Sequence, residues 1–164
     1  MNPAYKKYLD TAYQKQLENK KFLEKLKKQR ISNLDQTINR LNDEAFEEID
    51  CMQCANCCKT TGPLLLNKDI DRLAKAFKTK PSLFVDQYLK IDEDKDYVFK
   101  QMPCVFLGDD HYCKVYENRP NACREYPHTQ QRDQLQKLKI TFNNTLICPA
   151  VAKIVEELKK TVDK

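Results

Sequence analysis

Cys51-Met52-Gln53-Cys54-Ala55-Asn56-Cys57-Cys58 puts four cysteines into eight positions, and the other four, Cys104, Cys113, Cys123 and Cys148, arrive singly downstream. Thiolates this close repel one another unless a cation holds them, so the spacing points to metal. Cys51 and Cys54 form a C-x-x-C pair, as do Cys54 and Cys57; two intervening residues let the backbone turn back so that both sulfurs meet one ion. Cys57 and Cys58 are adjacent, and their side chains are expected to diverge, one of them serving a second metal or bridging. All eight cysteines together can supply two four-coordinate sites, or one iron–sulfur cluster beside one zinc. Buried apolar cysteines with a redox pair, or disulfides, are the competing readings.

Composition fits a metal-stabilised domain. The 164 residues are 41% hydrophobic and 32% charged, which suits one domain with an appendage and a modest apolar core. Structural zinc contributes roughly 10–16 kcal/mol of apparent binding free energy in small modules, more than typical domain stability. The opening residues, Met1 to Asp10, carry charges where an export signal needs an apolar stretch. The longest apolar runs, Leu64-Leu65-Leu66 and Val105-Phe106-Leu107, fall far short of the roughly 20 residues of a membrane span. The expected setting is therefore the reducing cytoplasm, where clustered cysteines are ligands or redox thiols rather than disulfides.

The net charge of +5 hides an asymmetry: residues 1–30 carry nine Lys/Arg against three acids, and residues 31–50 one Arg against six acids. Eight thiolates around two divalent ions would lower the total to about +1.

The expected fold class is α+β: a small cysteine-rich metal-binding domain with short strands over residues 50–164, preceded by a helical hairpin over residues 1–49. Tyr5, Tyr8, Leu9, Ala12, Tyr13 and Leu17, then Phe22, Leu23 and Leu26, recur at helical spacing among lysines. Ser32 reads as a cap, and Ile31, Leu34, Ile38, Leu41, Ala45 and Ile49 follow at steps of three and four. Two helices, about 4–29 and 33–49, are expected, the acidic second pairing with the basic first or leaving it free. Beyond the cluster, Leu64–Leu66 reads as extended and Asn67 as the cap of a helix to about Phe77. Pro81 starts a helix through Tyr88, and Pro149 one with Ala150, Val151, Ile154, Val155 and Leu158 facing in. Tyr97–Gln101, Cys104–Leu107 and His111–Cys113 read as strands, the last two a hairpin presenting Cys104 and Cys113 together.

Pro120 suits the first turn of a short helix that places Cys123 near its positive end, and Cys148 stands where a helix cap would; both settings favour thiolate over thiol. Arg119 and Arg124 flank Cys123 and are read as offsetting the charge of a thiolate-rich cofactor or anchoring an anion beside it. His111, two residues before Cys113 on a strand, would face the other way; it and His128 are read as solvent-exposed or supporting groups. With only Gly62 and Gly108, the chain has no Gly-rich phosphate loop.

The motifs C-x-x-C-x-x-C-C, C-x-F-L and C-x-x-Y-x-x-R-P-x-x-C-R-x-Y-P together resemble the YkgJ-type cysteine-cluster family of zinc- or iron-chelating domains, over roughly residues 50–150. The resemblance implies a small metal-chelating domain with ligands at Cys51, Cys54, Cys57, Cys58, Cys104, Cys113 and Cys123, and Cys148 completing the set. Similar cysteine motifs occur in flagellin lysine N-methylases, which are associated with an iron–sulfur cluster.

The leading expectation is a protein chelating zinc or an iron–sulfur cluster through eight cysteine thiolates. One rival is an iron–sulfur oxidoreductase or lysine N-methylase-like enzyme. The other is a structural-zinc module that docks on nucleic acid or an acidic protein through its basic first helix. No membrane association is expected.

Overall fold

The computed structural model describes residues 2–29, 31 and 33–162; the expected cap Ser32 lies outside them. In chain order the elements are α1 (Pro3–Gln14), α2 (Gln16–Gln29), α3 (Leu34–Glu48), α4 (Cys51–Cys54), α5 (Asn56–Thr60), β1 (Leu64–Leu65), α6 (Asn67–Ala76), α7 (Pro81–Tyr88), β2 (Leu89–Ile91), β3 (Tyr97–Phe99), α8 (Asn121–Glu125), α9 (Gln134–Thr145) and α10 (Pro149–Val162), with a 3-10 turn at Tyr116–Asn118. The α+β class holds, with the N-terminal helices in place. The chain divides into two compact units, Met1–Cys54 with Pro127–Lys164, and Ala55–Tyr126. That division differs from the expected boundary between residues 49 and 50, because the C-terminal segment returns to supply helices that the N-terminal ones need as packing partners.

The first unit is a helical bundle. Asn2 accepts the Ala4 N–H at 2.9 Å and Pro3 occupies the first helical position, so α1 starts at once. Lys15 departs from helical geometry at φ −97° and ψ 18°, dividing the expected single helix so that α1 lies on α10 and α2 on α9. Tyr5, Leu9, Ala12, Leu23 and Leu26 are buried. The basic segment is thus part of a core and not a free arm. Its cross-element ion pairs among the described residues run to α10, Lys15–Glu156 at 2.7 Å and Glu18–Lys159 at 2.5 Å, rather than to the acidic α3. Leu34, Ile38, Leu41, Ala45 and Ile49 are buried as their spacing required. So is the predicted inner face of α10, from Ala150 to Leu158.

Helix α9 has no counterpart among the sequence expectations. Its inward face is Gln134, Leu138, Thr141, Asn144 and Thr145, too polar to register as an apolar stripe. Tertiary hydrogen bonds replace that stripe. The Asp35 carboxylate accepts the Asp133 and Gln134 N–H groups, both at 2.9 Å, and caps α9 from α3. Thr129, 1% exposed, donates to Asn42 at 2.6 Å, and Asn144 donates to the Pro127 carbonyl at 3.1 Å.

In the second unit β1, β3 and β2 form an antiparallel sheet in that order, with Leu64 opposite Val98 and Leu89 opposite Phe99. Leu65, Ile70, Leu73, Ala74, Phe84, Leu89, Phe99, Phe106 and Val115 make its core. Phe106 stacks on Phe77 at 5.3 Å and meets Phe99 edge-on at 5.4 Å, while Phe84 packs on Tyr88 at 4.9 Å. Cys104 and Cys113 lie against this cluster. Helix α6 begins one residue earlier than Asn67 as cap would allow: Leu66 is the cap, and Asp69 reaches back to accept the Leu66 N–H at 3.0 Å.

Two substitutions test the packing. Phe84 is fully buried, so Phe84→Ala should cost about 3–5 kcal/mol, read as a lower urea midpoint for the second unit. Asp35→Ala should cost about 1 kcal/mol through loss of the α9 cap; hydrogen exchange should quicken first at the start of that helix.

Candidate metal centre

The second unit carries five cysteines. Helix α5 opens at Ala55, held left-handed at φ 48°, and presents Cys57 and Cys58 from one short turn. Their Sγ atoms are 3.9 Å apart, so the two adjacent side chains converge where divergence was expected. The separation is close to what two sulfurs on one tetrahedral zinc adopt at a Zn–S distance of about 2.3 Å.

Cys58 is the hub of the arrangement. Its carbonyl accepts the Cys104 N–H at 2.8 Å, and its sulfur is an electrostatic neighbour of Cys104, Cys113 and Cys123 alike. Cys104 and Cys113 are not on paired strands. The chain reverses through one bridge, Leu107 to Cys113, with the Gly108 N–H on the Tyr112 carbonyl at 2.8 Å. The Cys104 sulfur accepts N–H groups from Phe106 and Leu107, and the Cys113 sulfur accepts that of Val115. Such turns fold the following backbone over the sulfur, which extended strands cannot do. They also leave amide donors aimed where thiolate charge would form.

Cys123 is set in place by groups that sequence reading missed. It sits on α8, whose first N–H, from Asn121, goes to Asp69 at 3.1 Å. Asp69 is 2% exposed and also holds Arg72 at 2.6 Å. Arg72 in turn donates to the Arg119 carbonyl at 2.8 Å and the Asn118 carbonyl at 3.4 Å. The signal was present: an acid at the third position of α6 is the return half of a capping box.

Arg119 and Arg124 differ. Arg119 lies 3.8 Å over the Tyr116 ring and donates to the Tyr116 carbonyl at 2.6 Å, and its charge favours the thiolate form of Cys113 and Cys123. Arg124 donates to the Arg119 carbonyl at 3.2 Å and to that of Glu117, which braces the loop. His111 is in a turn at φ 66° instead of on a strand, with Nε2 2.9 Å from Lys59 Nζ. His128 has φ 71°, and its carbonyl accepts from Gln134 at 2.7 Å.

The first unit holds the other three cysteines. Cys51 and Cys54 bound the single turn of α4, and Cys148 directly precedes α10. Cys54 and Cys148 are buried and Cys51 is exposed.

Protons dominate these thiols. The bond to Cys57, then burial, pushes Cys58 far above the ordinary thiol range. Burial, reinforced by Cys58, Cys104 and Cys113, pushes Cys123 up to about 12, with Arg119 pulling the other way. Burial raises Cys104 and Cys113 as well, and it pushes Cys148 up to about 12 despite N–H groups from Val151 and Ala150. The helix-terminus setting expected to favour thiolate at Cys123 and Cys148 is therefore outweighed until a cation arrives. Among the described residues no group of three or more Cys, His, Asp and Glu side chains is placed so that it could hold a metal ion. The donor chemistry nonetheless fits a thiophilic ion: soft sulfurs, backbone donors onto three of them, and deprotonation driven by the metal.

A family model described as a "putative zinc- or iron-chelating domain", CxxCxxCC, matches residues 50–149. The chain belongs to the CxxCxxCC family. The family match spans both cysteine sets, from Cys51 to Cys148. No curated protein and no solved structure matches the chain. Among the described residues no helix is long and apolar enough to cross a membrane.

The raised thiols set a pH dependence. Each holds its proton more tightly folded than unfolded, so its contribution to stability is whole below about pH 8.5, the ordinary thiol value, and is lost as pH rises through the folded values. Metal-free, reduced protein should show a falling Tm from pH 8 to pH 10. Bound metal reverses the sign, since binding displaces protons: apparent zinc affinity should rise as pH rises from 6 to 8, measurable by chelator competition.

Proposed function

We propose that this is a thiolate metal-binding protein, with Cys58, Cys104, Cys113 and Cys123 forming a closed four-sulfur centre in the second unit. The observation that carries this reading is the convergence on Cys58. Three cysteines that lie 46 to 65 residues beyond Cys58 share it as an electrostatic neighbour, and two of them receive backbone N–H groups on sulfur. Four thiols packed this way stay protonated, and ionising them together costs free energy unless an ion replaces their protons. Cys57 stands beside the centre at 3.9 Å from Cys58 and is positioned to bridge or to exchange with it.

Arg119 supports the same centre as a charge partner. Four thiolates around a divalent ion leave a net charge of about −2, and a guanidinium nearby lowers that cost. Arg124 acts through the loop it braces. Four protein ligands leave a zinc ion no open position, so this centre is structural in character; an iron–sulfur cluster would take the same four sulfurs.

Anaerobic purification with metal and sulfide quantification tests the reading. Zinc without labile sulfide, in colourless protein, assigns zinc; iron with labile sulfide and broad visible absorption assigns a cluster. Protein that carries neither, and whose reduced form takes up neither ion, would sink the chelation reading. Cys113→Ser should abolish the metal of this centre and lower the Tm of the second unit. Arg119→Gln should weaken apparent affinity several-fold while leaving the stoichiometry unchanged.

A further inference from the structure

We propose that α2 is a docking ridge for the phosphate backbone of duplex nucleic acid, recognised by charge and not by base sequence. The ridge belongs to the first unit, and its chemistry is independent of the ion that the cysteines hold.

Five lysines stand on this helix within nine positions, Lys20, Lys21, Lys25, Lys27 and Lys28, against a single acid, Glu24. All five are exposed. Asn19, Leu23 and Leu26 turn the other side of the helix into the bundle, where α2 packs on α9. Lys21, Lys25 and Lys28, at steps of four and three, run along the side opposite those buried residues, and Lys20 and Lys27 flank them. At 1.5 Å per residue the charges span about 12 Å of helix.

The fold separates these lysines from the other cations of the basic N-terminal segment. On α1, Lys6 pairs with Asp10 at 2.7 Å, and between α1 and α2 Lys15 pairs with Glu156 at 2.7 Å. Glu18 of α2 is taken by Lys159 at 2.5 Å. On the acidic α3, Glu44 is held by Arg40 and Glu48 by Lys153. Among the described residues none of the five lysines of α2 takes part in an ion pair or a side-chain hydrogen bond. Lys21 and Lys25 are like charges four apart and Lys25 and Lys28 three apart, which by itself destabilises a helix. Lys27 and Lys28 gain from the negative end of the helix dipole, but Lys20 and Lys21, in its first half, do not. A polyanion laid along the ridge supplies the counter-charge that the fold does not.

Residue types select among polyanions. Protein–protein interfaces are depleted in lysine and enriched in arginine, and α2 has no arginine. Adsorption to an anionic membrane needs an apolar face free to enter the lipid boundary. That face of α2 is buried in the bundle, leaving Leu17 as the one large apolar side chain the helix exposes. Single strands are gripped by stacking bases on aromatic rings, whereas the one aromatic of α2, Phe22, is half-buried. Compact ammonium groups in a row are the chemistry of duplex phosphate contacts, which position a protein without reading sequence.

Full-length protein prepared without oxygen tests this by fluorescence anisotropy of a short labelled DNA duplex. Binding at 50 mM salt should be micromolar or tighter, and 200 mM salt should weaken it roughly 40- to 500-fold, as when three to five lysines displace counterions from phosphate. Two unrelated duplex sequences should bind alike. Lys21→Gln/Lys25→Gln/Lys28→Gln should lose at least about ten-fold in affinity at 50 mM salt and shallow the slope of log K on log salt by about 2.7. Its far-ultraviolet circular dichroism and metal content should match wild type. The charge-keeping Lys21→Arg/Lys25→Arg/Lys28→Arg should bind as wild type does. So should Lys68→Gln/Lys75→Gln/Lys80→Gln, which removes the same charge at three exposed lysines of the second unit. If that second-unit triple weakens binding as much as the α2 triple, the effect is net charge and the ridge is wrong. It is also wrong if wild type fails to bind duplex at 50 mM salt. Tighter binding to a single strand of the same length would overturn the duplex assignment. Binding that depends on α2 but goes to phosphatidylserine vesicles or poly-glutamate in place of duplex would reassign the surface to a membrane or an acidic protein.

Discussion

Crowding thiols into a poorly solvated place is the constraint on which this structure turns. A protonated thiol is a tolerable core group, and burial alone keeps it protonated. Several thiols gathered around Cys58 cannot ionise together, because each thiolate penalises the next. Folding therefore assembles a site that is neutral and inert by itself, and an ion becomes the only economical way to remove the protons. The backbone N–H groups on Cys104, Cys113 and Cys148 are partial compensation in advance, aimed where negative charge would appear.

In each unit the cysteines are held by contacts from elements distant in sequence. In the second unit the Asp69–Arg72 pair does this for Cys123 by fixing residues 118–121, while the aromatic cluster around Phe106 supports the Cys104 and Cys113 turns. In the first unit Tyr5 and Asp50 hold the Cys51–Cys54 turn, and α10 supplies Cys148. Most of these contacts bond to backbone, and the Asp69 carboxylate at their centre in the second unit is buried. The two cysteine sets are accordingly held by contacts from different elements.

Apolar spacing made several elements legible in advance. Leu34 to Ile49, Ile70 to Ala74 and Ala150 to Leu158 are buried along the stripes their periodicity described, because a helix must hide a continuous apolar face. Proline placed the starts of α7 and α10 for an equally local reason. Where burial is polar there is no apolar stripe to read. Helix α9 hides Gln134, Thr141, Asn144 and Thr145 and depends on Asp35, a residue 98 positions earlier, for its cap. The expected Cys104–Cys113 hairpin is reduced to its tip: one antiparallel bridge joins Leu107 to Cys113, and Cys104 lies outside it in a turn closed by the Leu107 N–H on the Cys104 carbonyl.

By itself the sequence determined the chemistry: eight cysteines, four of them in one octapeptide, select a thiophilic ion, because ligand type and local spacing are properties of the chain. It also determined most helices, since amphipathic periodicity is local. Only the tertiary structure decided which sulfurs share a neighbourhood. The octapeptide is divided between Cys54 and Ala55, and its cysteines are allotted to different units. It also decided that Cys57 and Cys58 converge, and that Cys51 faces solvent while Cys148 does not. Those outcomes depend on contacts between residues many tens of positions apart, set by packing and by buried carboxylates whose partners no local pattern can name.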